Sequence, residues 1–393
     1  MLHIGKSYLV RVDGTTRLCA DLTIGDRRTT LWFGVDSAQE EYLAPGRADP
    51  FVMAALPAAM RGKHEITCED PMSERLHHQL VNGLIHTLAF AGGLYHLIKI
   101  TAPLTAKQVP NQGAVGTGFS GGVDSLYTVM KHGADSEYPL THIAIFCHNV
   151  LHKRSSFEKD FRLGDQFAQE LSLRRVYLDT NVGQTFSELY RKVYTFRNLA
   201  CALALQGLFS VYLISSGHSV SELRSGLADL ADFEKASSHY DPLTIGCAST
   251  ESIAFYLSGG ETIRAEKLEA LTDWEPSWRW LHPCDRTPLG SPNCGQCKKC
   301  SCDLTVLHAL GKLDRYRAVL DVDGYLRHFP QRVGLLLACE KSQISKRALQ
   351  LLKERNIQIP AFSSSFAQQV KKAREQQAVK FGGLQKEANG NEQ

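Results

Sequence analysis

Long apolar runs are missing from this chain of 393 residues. No stretch approaches the 18 or more consecutive apolar residues of a membrane-spanning helix, so no membrane span is expected. Met1 to Asp13 alternates apolar and polar residues, without the basic start and apolar core of a secretory leader. An excess of one charge is missing too. Lys and Arg number 44 against 41 Asp and Glu, net +3, so electrostatics alone do not nominate nucleic acid as a partner. A disulfide framework is also absent. Of eleven cysteines, seven are scattered: Cys19, Cys68, Cys147, Cys201, Cys247, Cys302 and Cys339. That usage suits a reducing, cytoplasmic setting.

What is present begins with the other four. Cys284, Cys294, Cys297 and Cys300 fall as C-x9-C-x2-C-x2-C, and Asn293 to Cys300 forms a compact knuckle. Four thiolates at this spacing close a tetrahedral shell around one Zn²⁺ with no open position, a structural arrangement. Cys302 makes a poorer bite with Cys300 and is expected to stay outside the shell.

Chemistry is therefore sought at a Gly-rich run. Ala114 to Phe119 reads as a buried strand, Ser120-Gly121-Gly122 as a tight turn, and Val123 to Lys131 as the start of a helix. Glycine admits a ligand close to the backbone, and free N–H groups at a helix start favour a phosphate. The lysine of a Walker loop is missing, and the Gly116, Gly118, Gly121 spacing lacks the acidic partner of a dinucleotide fingerprint.

The rest of the chain sorts by hydrophobic period. At 43% hydrophobic, it can bury a large core and more than one domain. Ser7 to Val12, Leu18 to Ile24 and Arg28 to Phe33 predict a three-strand meander, with turns at Asp13-Gly14 and Gly25-Asp26. Met72 to Phe90 predicts one long helix with Leu76, Leu80, Leu84, Ile85 and Leu88 on one face, and Ser73 and Glu74 at its start. Residues 1–110 are thus expected to form an α+β accessory domain. From 113 onward, strands at 142–148, 175–179 and 211–216 alternate with helices at 157–171 and 197–209, which predicts a parallel, doubly wound α/β sheet. Residues 303–360 read as helical, nine Lys or Arg face three Glu from 340 to 380, and the last dozen residues read as a frayed tail.

Ser-Gly-Gly-Val-Asp-Ser after an apolar strand resembles the PP-loop of the N-type ATP pyrophosphatases. Together with the four cysteines, it resembles the 7-cyano-7-deazaguanine synthases over roughly residues 112–310. Phe196-Arg197-Asn198, Asp241-Pro242-Leu243 and Ile263-Arg264-Ala265-Glu266 add to the likeness. The resemblance implies an adenine nucleotide alpha hydrolase-like fold, with a PP-loop domain over 112–310 and a helical extension over 311–393. It implies that Ser120, Gly121, Gly122, Val123 and Ser125 cradle the pyrophosphate of ATP, with Asp124 near Mg²⁺. Arg197 and Asn198 would lie near the nucleotide, and Arg264 would balance phosphate charge alongside Ser120 and Asp124 in catalysis. The alternatives for these last three are a capped helix and a solvated helix face.

The implied activity is that of an ATP-dependent ligase. A carboxylate such as 7-carboxy-7-deazaguanine is adenylated, pyrophosphate leaves, and ammonia or a partner-protein amine displaces AMP, the latter as in deazapurine protein modification by antiphage operons. Two segments depart from the family, His218-Ser219-Val220-Ser221-Glu222-Leu223 and Trp280-Leu281-His282-Pro283-Cys284. Both lie where the acid is read, so the identity of the acid stays open. The extensions suit a lid, a homodimer surface or a platform for a larger substrate. A tRNA-thiolating PP-loop enzyme is the alternative; it needs a reactive cysteine, whereas Cys147, Cys201 and Cys247 read as core residues. His148, His218 and His239 carry no assigned role.

Overall fold

A computed structural model describes residues 1–91, 93–147, 154–187, 190–221, 236–284, 286–287, 291–339, 342–373 and 376. Contacts divide the chain into two compact units: Met1–Ser120 with Asp124–Thr262, and Gly121–Val123 with Ile263–Gln393.

The first unit is built on one sheet of ten strands. β1 (Leu2–Val12), β2 (Thr15–Ile24) and β3 (Arg27–Asp36) form the expected antiparallel meander. Asp13 and Gly14 both have positive φ at the first turn, as a tight hairpin twisted with its strands requires. Leu18, Ala20, Leu22, Leu31, Phe33 and Val35 line the buried face, and Phe33 meets Phe51 edge to face at 5.6 Å. Phe51 belongs to α1 (Asp49–Gly62), which is buried along nearly its whole length.

β4 (Ile66–Cys68) adds in parallel to the start of β1, and β5 (Met72–Ser73) pairs elsewhere with β7 (Leu104–Thr105). The expected single helix over 72–90 differs in two respects. Met72 and Ser73 are strand, so the helix begins two residues later, with the Ser73 hydroxyl accepting from the Leu76 N–H at 3.0 Å. Between α2 (Glu74–Gln79) and α3 (Ile85–Ala91), residues Leu80–Leu84 make a π turn. That wide turn lets both Leu84 and Ile85 face the core, where Leu76, Leu80 and Leu88 are also buried. β6 (Ile100–Thr101) closes this edge of the main sheet.

The α/β part follows. It comprises β8 (Ala114–Gly118), α4 (Val123–Lys131), β9 (His142–Cys147), α5 (Arg154–Glu170), β10 (Arg174–Thr180), α6 (Val182–Phe186) and α7 (Tyr190–Ala204), then β11 (Phe209–Ser215), α8 (Asp241–Gly246) and β12 (Ala254–Ser258). These five strands are all parallel, in the order β12-β11-β8-β9-β10. The chain runs outward from β8 through β9 to β10, then returns to the other side of β8, the pattern of a doubly wound α/β sheet.

One boundary needs correction. Residues 1–110 are not a separate accessory domain, because β3 pairs antiparallel with β10 at Gly34 and Phe33 and the sheet continues across. Asn181 extends the junction, its side chain accepting from the Trp32 N–H at 2.9 Å and donating to the Thr30 carbonyl at 2.8 Å. The meander read correctly as strands; its pairing partner lies some 150 residues away, beyond the reach of local pattern.

The second unit is helical. α9 (Arg264–Leu271), α10 (Pro276–Trp280), α11 (Lys298–Ala309), α12 (Val322–Arg327), α13 (Phe329–Leu337) and α14 (Gln343–Glu354) are short pieces. The division near 310 is therefore also corrected. The cysteine segment belongs with the C-terminal helices, since α11 packs against α14. His148, Glu222, Leu223 and the tail beyond 376 lie outside the described residues.

Candidate functional site

Two places among the described residues concentrate chemistry, the segment that leaves β8 and the cysteine cluster of the helical unit. In the sheet, β8 is the topological switch point. Open α/β sheets bind ligands beyond the carboxyl ends of their strands at such a point, where loops diverge to opposite faces. The segment leaving β8 there is Ser120 to Ser125. Phe119 anchors it, its N–H donating to the Ala144 carbonyl at 2.9 Å and its ring stacking on Phe167 at 4.1 Å. Gly121 has φ +69°, which an L side chain rarely adopts, so the turn needs glycine.

The Ser125 hydroxyl accepts from the Ser120 N–H at 3.4 Å and lies 3.2 Å from the Ser120 hydroxyl, bracing the turn across the first residues of α4. Ser125 is buried and Ser120 exposed, while Asp124 is half-buried in the first helical turn. Gly121 and Val123 are buried and Gly122 is half-buried. An exposed hydroxyl, a close-approach glycine pair and helix-start N–H groups form a cradle suited to an anionic oxygen cluster.

Arg197 and Asn198 lie on α7. Because α7 leads back into a strand parallel to β8, its first turns lie toward the carboxyl ends of the strands, and Arg197 and Asn198 sit midway along it. Arg197 is buried and Asn198 half-buried. Next to them is a buried polar cluster that the sequence did not reveal. Thr195 donates its hydroxyl to Asp241 at 2.5 Å, Tyr194 donates to the other carboxylate oxygen at 2.8 Å, and the Ser237 hydroxyl accepts from the Thr195 N–H at 3.2 Å. Burial raises the Asp241 carboxyl to about 6, against the lowering effect of those two hydroxyls. The cluster fixes the first turns of α7 to α8.

Of the three cysteines expected in the core, two lie inside it where the sheet meets α7. Cys147 and Cys201 are buried, and burial pushes the Cys201 thiol well above its usual range. Cys247 is half-buried and is also raised by burial. A thiol held protonated is a poor nucleophile.

The second place is the cysteine cluster of the helical unit. The sulfurs of Cys284, Cys294, Cys297 and Cys300 all lie within 4.8 Å of one another. Four sulfurs around one Zn²⁺ at about 2.3 Å would sit ~3.8 Å apart, so the group can hold a metal ion such as zinc with little adjustment. Backbone N–H groups point at the sulfurs, from Arg286 to Cys284 (3.4 Å), from Gln296 and Cys297 to Cys294 (3.5 and 3.3 Å), and from Cys300 to Cys297 (3.4 Å). Such bonds favour thiolates.

Gly295, at φ +63°, makes the knuckle turn. Asn293 ties the distant Cys284 to it, accepting from the Cys284 N–H at 3.2 Å and donating to the carbonyls of Leu281 (3.1 Å) and Val319 (2.7 Å). Cys302 is buried and faces Ser345 at 3.9 Å, outside the group of four.

Arg264 differs from the solvated-face reading of the sequence. It is buried rather than on a solvated face, and its guanidinium grips Asp303 of α11 bidentately, at 3.1 and 2.8 Å. That carboxylate lies within its own unit. Asp303, three residues after the last cysteine, was the unread signal.

No helix among the described residues is long and apolar enough to cross a membrane. Comparison with protein-family models and with curated proteins found no match.

Proposed function

We propose that the chain is an ATP-dependent ligase that adenylates a carboxylate and passes the acyl group to a nitrogen nucleophile. The observation that carries this reading is the Ser120–Ser125 cradle at the switch point of the parallel sheet. A glycine turn without the Walker lysine is suited to grip pyrophosphate by backbone and hydroxyl donors, as in the PP-loop that the sequence resembles. Ser120, Gly121, Gly122, Val123 and Ser125 would hold the β and γ phosphates. Asp124, in the first turn of α4, would hold Mg²⁺, which offsets the charge gathering on the phosphates when the α-phosphorus is attacked.

The carboxylate oxygen attacks the α-phosphorus, the P–O bond to pyrophosphate breaks, and the acyl-adenylate forms. A nitrogen nucleophile then attacks the acyl carbon and AMP leaves. Positioning and phosphate stabilisation supply most of such catalysis, so no protein nucleophile is required. This agrees with a Cys201 thiol that burial pushes well above its usual range. Arg197 and Asn198 would bound the adenylate from the α7 side. The four cysteines fit a closed zinc shell that supports the fold of the second unit and takes no part in the steps.

7-Carboxy-7-deazaguanine is the acid that the sequence resemblance proposes. Mass spectrometry of reactions with ATP and this acid, with and without ammonium, tests the reading. Acid-dependent AMP with an amide or nitrile product supports it. Phosphate and ADP as products would move the chain to another reaction class.

A further inference from the structure

Resting on that ligase reading, we propose that His239, braced by His218, is the base that takes the proton from the nitrogen nucleophile. These two histidines, 21 residues apart in sequence, meet with ring centroids 5.0 Å apart at 84°, edge to face. Both are half-buried.

Their place follows from the sheet. β11 lies beside β8 in parallel, with Leu213 opposite Thr117. β8 ends one residue after Thr117 and β11 two after Leu213, so Ser120 and His218 both follow the carboxyl ends of neighbouring parallel strands. Ser216 shapes that turn, its N–H donating to the Ser258 carbonyl at 2.8 Å and its hydroxyl to the His218 carbonyl at 2.5 Å. His239 comes from the other side, in the single 3-10 turn Ser237–Tyr240. That turn is pinned to α7 by the Ser237 hydroxyl, which accepts from the Thr195 N–H at 3.2 Å and lies 2.9 Å from the Thr195 hydroxyl. The pair thus stands between the strand next to the cradle and the helix carrying Arg197.

One nitrogen of the pair is left for a hydrogen donor. His218 Nε2 lies 3.3 Å from the Ser238 hydroxyl, which orients that ring. His239 Nδ1 is buried and has no hydrogen-bond partner among the described residues. Buried polar nitrogens are seldom left so in a folded protein, and an exception calls for an explanation such as a hydrogen donor on a ligand. Imidazole is the side chain suited to moving a proton near neutral pH.

The step balances without any redox partner. The amine nitrogen attacks the acyl carbon and a C–N bond forms. The bond from carbon to the adenylate oxygen breaks, and AMP leaves with its electron pair. The surplus proton on nitrogen passes to His239 and then to water. Adenylation needs no such proton transfer, so the two half-reactions should separate when the ring is removed.

The test uses the full chain with ATP, 7-carboxy-7-deazaguanine and three readouts: ATP–pyrophosphate exchange, hydroxamate formation from hydroxylamine, and amide formation from ammonium or an N-terminally free tripeptide. In His239→Gln and His239→Asn, exchange and hydroxamate yield should stay within about threefold of wild type, because hydroxylamine attacks without help. Amide formation should fall by about 100-fold or more, the usual scale of general-base catalysis. His218→Gln reads the same split at about tenfold, through the ring it no longer holds, and keeps the test open if both variants at 239 fail to fold. Amide formation near wild type in folded variants overturns the base assignment while leaving the ligase standing. So does loss of exchange in parallel with amide formation, or a wild type that yields hydroxamate but no amide. A wild type without acid-dependent exchange removes the ligase reading itself, and the base with it.

Discussion

In the sheet unit, order comes from apolar packing across ten strands; in the helical unit, short helices gather around four sulfurs, a buried ion pair and one asparagine. The first arrangement leaves its chemistry at a rim, where strand ends expose backbone donors without weakening the core beneath. The second turns its reactive groups inward. Thiols make one cluster and Arg264 pairs with the buried Asp303, so residue types that elsewhere face a ligand here face one another. Residue type alone therefore does not separate a reaction site from a support, but burial and partner do.

The largest expected effect lies in the helical unit. Structural zinc contributes about 10–16 kcal/mol of binding free energy in small zinc-dependent folds. Cys297→Ser should therefore abolish stoichiometric zinc and expose amides over residues 281–309 to hydrogen exchange, while β8 to β11 keep their protection. Elemental analysis and exchange mass spectrometry check this. Full protection of 281–309 without metal would erase the contrast between the units.

Next comes the ion pair. Asp303→Asn leaves the buried Arg264 charge without its partner carboxylate, and breaking a buried pair from one side costs about 3–5 kcal/mol. Thermal unfolding should show that loss, and the double change Arg264→Met with Asp303→Leu should recover most of it. If Asp303→Asn proves neutral for stability, Arg264 is not a support, and the phosphate role expected from sequence regains its place.

A smaller effect separates the core of the sheet unit by pH. Asp49 is buried, accepting from the Ser73 N–H at 2.8 Å and the Gln206 amide at 3.2 Å, and burial raises its carboxyl to about 6 against those two bonds. A carboxyl raised on folding binds its proton more tightly in the native state. Its stabilising contribution is full below the ordinary value near 4 and is lost as pH rises through about 6. Relative to Asp49→Asn, wild type should lose on the order of 2 kcal/mol between pH 4 and pH 7, read by denaturant unfolding at each pH. A difference of the opposite sign would mean that the hydrogen bonds outweigh burial.

The smallest expected effect is on chemistry. Cys147→Ser, Cys201→Ser and Cys247→Ser should each leave AMP formation within about tenfold of wild type, ~1.4 kcal/mol. Product abolished in a folded single variant would instead promote sulfur transfer.

Local pattern carried much of this molecule and failed at identifiable places. The Asp13-Gly14 turn, the strand at 114, the helix from Val123 to Lys131 and the cysteine spacing were legible because each signal lies within a few residues. The pairing of β3 with β10 was not, since it joins distant segments through a short ladder and the side chain of Asn181. Nor was the Arg264–Asp303 grip, because arginine at a helix start reads equally as a surface or a phosphate residue until its neighbour is known. The histidine pair was invisible for the same reason. His218 and His239 come together only when the strand end and the 3-10 turn are folded onto α7.

The most direct test of the central claim is which bond of ATP the Ser120–Ser125 cradle breaks. With ATP labelled at the α or the γ phosphorus and 7-carboxy-7-deazaguanine present, α label should emerge in AMP and γ label in pyrophosphate, both dependent on the acid. Ser120→Ala and Asp124→Ala should each slow that release by the equivalent of about 3–4 kcal/mol, the usual scale for one preorganised electrostatic group, with zinc content unchanged. Release of γ label as orthophosphate, or full activity in both variants, would contradict the account.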